Sequence, residues 1–235
     1  MQPTRLGGGP AVVPKIDLKP SQTIVFIGDS ITDMGRCQPA YRPLGFGYVH
    51  FVGNLLWAKY QQLNLNIVNT GISGNTVRDL KNRWAKDCLE YKPDILSVLI
   101  GINDLWRRYG EPEKIPAAVY PDEYELTYRQ LLSLVSAERA VAGQVKQKCN
   151  SQLVLIEPFM FCDDLENKIF QDLWTYIRIV HHLAKEFDAV LVPLQSWIDE
   201  QIKQIPPEKW SHDSVHPYIW AHAWIAQRWL EATGL

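Results

Sequence analysis

Five short apolar runs punctuate the chain: TIVFIG at 23–28, LNIVN at 65–69, DILSVLI at 94–100, QLVLI at 152–156 and AVLVP at 189–193. Most are rich in β-branched residues and show no polar alternation, as a strand buried on both faces reads. Between them, apolar residues recur three or four apart, the spacing of an amphipathic helix. Val49, Val52, Leu56 and Tyr60 form one stripe within 46–60, and Val77, Leu80, Trp84, Cys88 and Tyr91 form another within 76–91. Further helices are expected at about 121–148, 164–187, 195–204 and 217–233, with Pro217 at the first position of the last. Sustained alternation of this kind implies an α/β fold with a mainly parallel sheet and helices on both faces. Right-handed crossovers then put all strand C-termini on one edge, where open α/β sheets bind ligands.

The chain of 235 residues fits one domain, taken as 21–235. Residues 1–20, with three consecutive glycines and Pro10, Pro14 and Pro20, read as an N-terminal arm. The formal net charge is -2 and no dense Lys/Arg block occurs, which argues against a nucleic-acid partner. No run approaches the roughly 18 apolar residues of a membrane helix, and Gly and Pro stand where a signal peptide would be apolar. A cytoplasmic protein with no membrane partner is therefore expected. Cys37, Cys88, Cys149 and Cys162 form no C-x-x-C pair and are expected to be reduced thiols.

Chemistry-bearing residues cluster just past the strand ends. The first strand runs into Gly28-Asp29-Ser30-Ile31-Thr32, which puts Ser30 where a nucleophile would meet a substrate, although the same residues also suit a structural turn. The second runs into Gly71-Ile72-Ser73-Gly74-Asn75-Thr76 before a helix. Asn75 or Thr76 can be that helix's N-cap, but a cap does not explain two glycines three apart. The third runs into Gly101-Ile102-Asn103-Asp104, where Asn103 can offer an amide donor or simply turn the chain. Before the last helix stands Ser211-His212-Asp213-Ser214-Val215-His216-Pro217. Asp213 lies close enough in sequence to orient a His216 base for a serine. Metal ligation by His212, Asp213 and His216 is the rival reading, but no further ligand stands nearby at a recognisable spacing, so no metal is expected. Nucleophile, backbone donor, amide donor and oriented base together make up the inventory of acyl transfer.

These four blocks, GDSIT, GISGNT, GIND and DSVHP, in this order, resemble the SGNH (GDSL-type) hydrolase superfamily. The resemblance implies a flavodoxin-like three-layer α/β/α sandwich with a five-stranded sheet and no cofactor. It also implies a triad of Ser30, His216 and Asp213 and an oxyanion hole of Ser30, Gly74 and Asn103. The stretches GFGYVHFV (45–52), NTGISGNTVRDLKNRW (69–84) and KPDILSVLIGINDLWR (92–107) are similar to the carbohydrate acetylesterase branch, including acetylxylan esterases. That likeness implies small-molecule or oligosaccharide ester substrates and allows a homo-oligomer. Asp29, Trp106 and Arg107 are expected to touch substrate. Trp106, like Trp210, fits a core or subunit contact equally well. A lysophospholipase or thioesterase would share this machinery but take long acyl chains, and an inactive sugar-binding module would keep the fold without the chemistry. The α/β-hydrolase elbow G-x-S-x-G is not matched, because Thr32 stands two after Ser30.

Overall fold

The computed structural model describes residues 16–235 except 111, 114, 137, 140–146, 149 and 150. Strand β1 (Thr23–Gly28) leads into a one-turn helix α1 (Ser30–Asp33) and then α2 (Tyr48–Lys59). Next come β2 (Asn66–Asn69), α3 (Val77–Asp87), β3 (Ile95–Leu99), α4 (Ile102–Trp106) and α5 (Pro121–Ser136). Two short antiparallel strands follow, β4 (Glu138–Arg139) and β5 (Gln147–Lys148). The chain ends with β6 (Gln152–Ile156), α6 (Lys168–Glu186), β7 (Val190–Val192), α7 (Leu194–Ile202) and α8 (Ile219–Thr233).

The main sheet has five parallel strands in the order β2-β1-β3-β6-β7, as the flavodoxin-like pattern requires. Its register aligns Gly28, Leu99, Ile156 and Val192 across four strands, so their successors leave from one edge. Every residue of β3 is buried, and so is every residue of β1 after Thr23, because helices cover both faces. Phe26 of β1 meets Tyr48 of α2 and Trp229 of α8, with ring centroids 6.0 Å and 5.4 Å away. Helices α3, α5 and α6 pack in succession as the other layer. Helix α3 starts from a capping box, in which Thr76 and Asp79 each satisfy the other's backbone N–H.

Several boundaries differ from the sequence expectation. The helix expected to reach 148 stops at Ser136, and the β4–β5 pair lies in the remainder. Tyr91 is exposed, because α3 ends at Asp87 and a separate 3-10 turn carries the tyrosine outward. Pro217 does not open α8; it pairs with Ser211 in an isolated bridge, and the helix starts at Ile219. Of the arm, residues 1–15 lie outside the described residues. Ile16 and Asp17 dock on the domain through bonds to Thr233 O and the Gln152 side chain. Cys37, Cys88 and Cys162 are free thiols, and Cys149 lies outside the described residues.

The indole N–H of Trp229 donates to Ser97 Oγ at 3.0 Å, and both residues are fully buried. Replacing Ser97 by Ala leaves that donor without an acceptor in the core. The expected outcome is a loss of about 1–3 kcal/mol of unfolding free energy by denaturant titration, with kcat unchanged.

Candidate active site

Ser30 begins α1 immediately beyond β1. Asp29 caps this turn, its Oδ1 accepting the Ile31 N–H at 3.1 Å. The 211–217 loop approaches from the other end of the chain and is braced on several sides. Ser211 bridges Pro217, and the Phe161 N–H donates to Ser214 O at 2.8 Å. The Trp210 ring stacks on Phe161 at 5.5 Å. Gln195 fixes the segment carrying Phe161 by binding both the N–H and the carbonyl of Met160, at 2.7 Å and 3.0 Å.

So held, His216 Nε2 lies 2.9 Å from Ser30 Oγ, and His216 Nδ1 lies 2.6 Å from Asp213 Oδ2. The second oxygen, Asp213 Oδ1, accepts the N–H groups of Val215 and His216 at 3.0 Å and 2.8 Å and the Ser211 hydroxyl at 2.9 Å. Partial burial pushes the Asp213 carboxyl up. The bonds from the His216 backbone and ring, Val215 and Ser211 outweigh that effect and hold it well below the usual carboxylate range. An ionised Asp213 draws the proton to Nδ1, which leaves Nε2 free to accept from the serine hydroxyl.

The two glycines that a helix cap could not explain have separate reasons. A Cβ on Gly71 would stand 2.3 Å from the backbone nitrogen of Asp33, so only glycine fits. Gly74 has open space around it but a φ of +78°, in the left-handed region. Asp33 secures the intervening residue, accepting both the N–H and the hydroxyl of Ser73, at 3.2 Å and 2.9 Å. The Ile72 N–H donates to Gly28 O at 3.1 Å, and Asn103 Nδ2 donates to Asn75 O at 3.1 Å. Direct hydrogen bonds therefore join all four sequence blocks at the carboxyl edge of the sheet. Among the described residues, no protein acceptor takes the backbone N–H of Ser30 or of Gly74.

Residues 26–223 match the GDSL-like lipase/acylhydrolase family. The chain belongs to that family. It is 38% identical over 217 residues to an acetylxylan esterase of Geobacillus stearothermophilus, a match covering 91% of this chain and 94% of the relative. A crystal structure of the acetylxylan esterase Axe2 from the same organism superposes with a TM-score of 0.84 at 36% identity, covering 94% of this chain and 97% of that one. LAE5, described as an alpha/beta hydrolase enzyme from the metagenome of Lake Arreo, superposes at 0.83 with 31% identity, covering 92% and 97%. This GDSL-family chain is accordingly a carboxylic ester hydrolase. No described helix is long and apolar enough to cross a membrane.

The three residues expected to touch substrate fare differently. Asp29 is 1% exposed, sits beneath the surface and caps α1. Arg107 is half-buried and directs its guanidinium to the carbonyls of Gly74 and Ala117, which makes it a support of the loop. Trp106 is half-buried against the core, and Trp210 is a core residue packed on Phe161, Trp220 and Trp224. Sequence reasoning missed Asp33, Gln195 and Arg83. All three act on backbone groups distant in sequence, for which no motif signals.

Two buried carboxyls of the GDSL-family site titrate unusually. Burial pushes Asp29 up to about 7, against bonding from Ile31 and the nearby His216. Burial likewise pushes Asp104 up to about 8, against the Val77 N–H that its Oδ1 accepts. The native state thus holds two protons that the unfolded chain releases above the ordinary value of 3.8. Where the native state binds more protons, stability falls as pH rises. His222, whose burial lowers it from 6.5 to about 4, acts in the opposite direction, but only below 6.5. From pH 6.5 to 8 the melting temperature is therefore expected to decline, each carboxyl contributing at most about 1.4 kcal/mol per pH unit. Asp104→Asn keeps the acceptor for Val77 and should remove the larger part of that slope in thermal melts across this range. An unchanged slope would contradict the assignment.

Proposed function

We propose that this GDSL-family hydrolase is a serine esterase that removes acetyl groups from carbohydrates, acetylated xylo-oligosaccharides foremost, through an acyl-enzyme on Ser30. The observation that carries the reading is the unbroken line from Ser30 Oγ to His216 to Asp213, at 2.9 Å and 2.6 Å. Further support comes from Axe2, whose catalytic mutants replace a serine, a histidine and an aspartate by alanine. A cytoplasmic setting fits the free Cys37, Cys88 and Cys162 and would confine the enzyme to substrates small enough to be imported.

In this reading Ser30 Oγ attacks the ester carbonyl while His216 Nε2 takes the hydroxyl proton. Asp213 orients the ring and stabilises the imidazolium. The carbonyl oxygen, now negative, is received by the backbone N–H groups of Ser30 and Gly74 and by the Asn103 amide. Asn103 has a second amide proton beyond the one bonded to Asn75 O. The tetrahedral species collapses, the C–O bond to the sugar breaks, and His216 gives its proton to the departing alcohol. Water then attacks the acetyl-Ser30 ester by the same steps, releasing acetate and restoring the hydroxyl. Burial keeps Asp29 and Asp104 protonated below about 7 and 8, so neither adds negative charge beside the oxyanion at lower pH.

Acetate release from acetylated xylo-oligosaccharides, measured beside p-nitrophenyl acetate, octanoate and palmitate, tests the reading. Ser30→Ala is expected to abolish turnover, and Asn103→Ala to lower kcat roughly 10²- to 10³-fold. A preference for the octanoate or palmitate ester over every acetate would replace the carbohydrate reading with a lipolytic one.

A further inference from the structure

Arg83 lies on α3, outside all four sequence blocks, with only 13% of its side chain exposed. Its guanidinium makes four bonds. Nη2 donates to Gly28 O at 3.0 Å, Nη1 to Thr70 O at 2.6 Å and to Asp87 Oδ2 at 2.9 Å, and Nε to Asn75 Oδ1 at 2.7 Å. Gly28 is the last residue of β1, two before Ser30, and Thr70 directly follows β2. Asn75 follows Gly74, and its carbonyl receives the Asn103 amide. One half-buried cation thus touches the end of the strand that carries the nucleophile, the end of its neighbour, and the residue between the other two donors of the proposed oxyanion hole. Arg36 and Arg107 hold two further carbonyls of the same loop, Gly71 O and Gly74 O.

The ladder between β1 and β2 ends near Phe26 and Asn69, and past it the Thr70 N–H still reaches Phe26 O. Beyond that point two bonds tie the loop to Gly28: the Ile72 N–H to its carbonyl, and the Arg83 fork. We propose that Arg83 is a positioning residue of the esterase, locking the Gly74 loop onto the end of β1 so that the Ser30 and Gly74 N–H groups and the Asn103 amide meet one oxygen. This rests on the reading of those three donors given above. A planar fork is needed because the acceptors lie on three separate segments. A lysine keeps the charge but has one nitrogen at the end of its stem and cannot span them. A displacement of about 1 Å in an oriented site can cost about 10²-fold in rate.

The test compares Arg83→Lys with wild type on p-nitrophenyl acetate, with folding checked by thermal melt. Phenylboronic acid, which forms a tetrahedral adduct on a catalytic serine, reports the geometry of the hole. In Arg83→Lys, kcat is expected to fall by about 30-fold or more with KM within about threefold, and boronate inhibition to weaken in step. A merely structural arginine would lower the melting temperature and leave kcat per folded molecule and boronate affinity unchanged; that result overturns the proposal. Should Arg83→Lys not fold, Asn75→Ala removes only the loop end of the clamp. A kcat about tenfold lower with matching loss of boronate affinity then supports the proposal, and an unchanged kcat overturns it. Wild type and Ser30→Ala run alongside as controls. A wild type without esterase activity sinks the reading of the site itself, whereas an active wild type matched by Arg83→Lys sinks only the role of Arg83.

Discussion

The hydrogen bond between Ser30 Oγ and His216 Nε2 joins residues 186 positions apart, and the proposed chemistry depends on it. Such a bond contributes only about 1 kcal/mol net, too little to gather the two ends of a chain. Its length is instead set by structure that is stable for other reasons. The parallel sheet buries β1 and β3 on both faces and brings their carboxyl ends level at Gly28 and Leu99. The 211–217 loop is pinned by the Ser211–Pro217 bridge, by Phe161 and by the bonds that Asp213 Oδ1 accepts. The serine and the imidazole are neighbours because each is fixed to the same rigid frame.

Charge is arranged around this bond with equal economy. Asp213 is half-buried yet ionised, because several donors converge on it. Asp29 and Asp104 lie within the same edge of the sheet and are fully buried, each with one oxygen bonded and the other without a partner, so burial favours the neutral acid. Of three carboxyls within one site, two are thus neutral and one ionised, decided by how deeply each is buried and how many N–H and O–H groups point at it.

Much of this was legible in the sequence. The strands were readable from unbroken apolar runs, because a strand covered on both faces has no polar face to show. Ser30, Gly74, Asn103, Asp213 and His216 stood out in the sequence through the four blocks and their family resemblance, and the fold brings those blocks together at one edge of the sheet. The errors arose where local pattern and tertiary packing disagree. The amphipathic spacing that continues past Asp87 to Tyr91 does not survive the turn at Cys88, and Pro217 has the look of a helix start but is held in a bridge. Of the two roles Trp210 could fill from sequence, the fold shows the core one, while Asp29 caps α1 and Arg107 binds loop carbonyls. Arg83 and Gln195 were invisible, since a side chain that binds distant carbonyls leaves no spacing to read.

Labelling by a fluorophosphonate probe, followed by peptide mapping, addresses the central claim most directly, because it reads the activation of one hydroxyl without assuming a substrate. The account predicts a single adduct, on Ser30, in the folded wild type, and a labelling rate that collapses in His216→Ala. An adduct on another residue, or a His216→Ala protein labelled on Ser30 as fast as wild type, would contradict it.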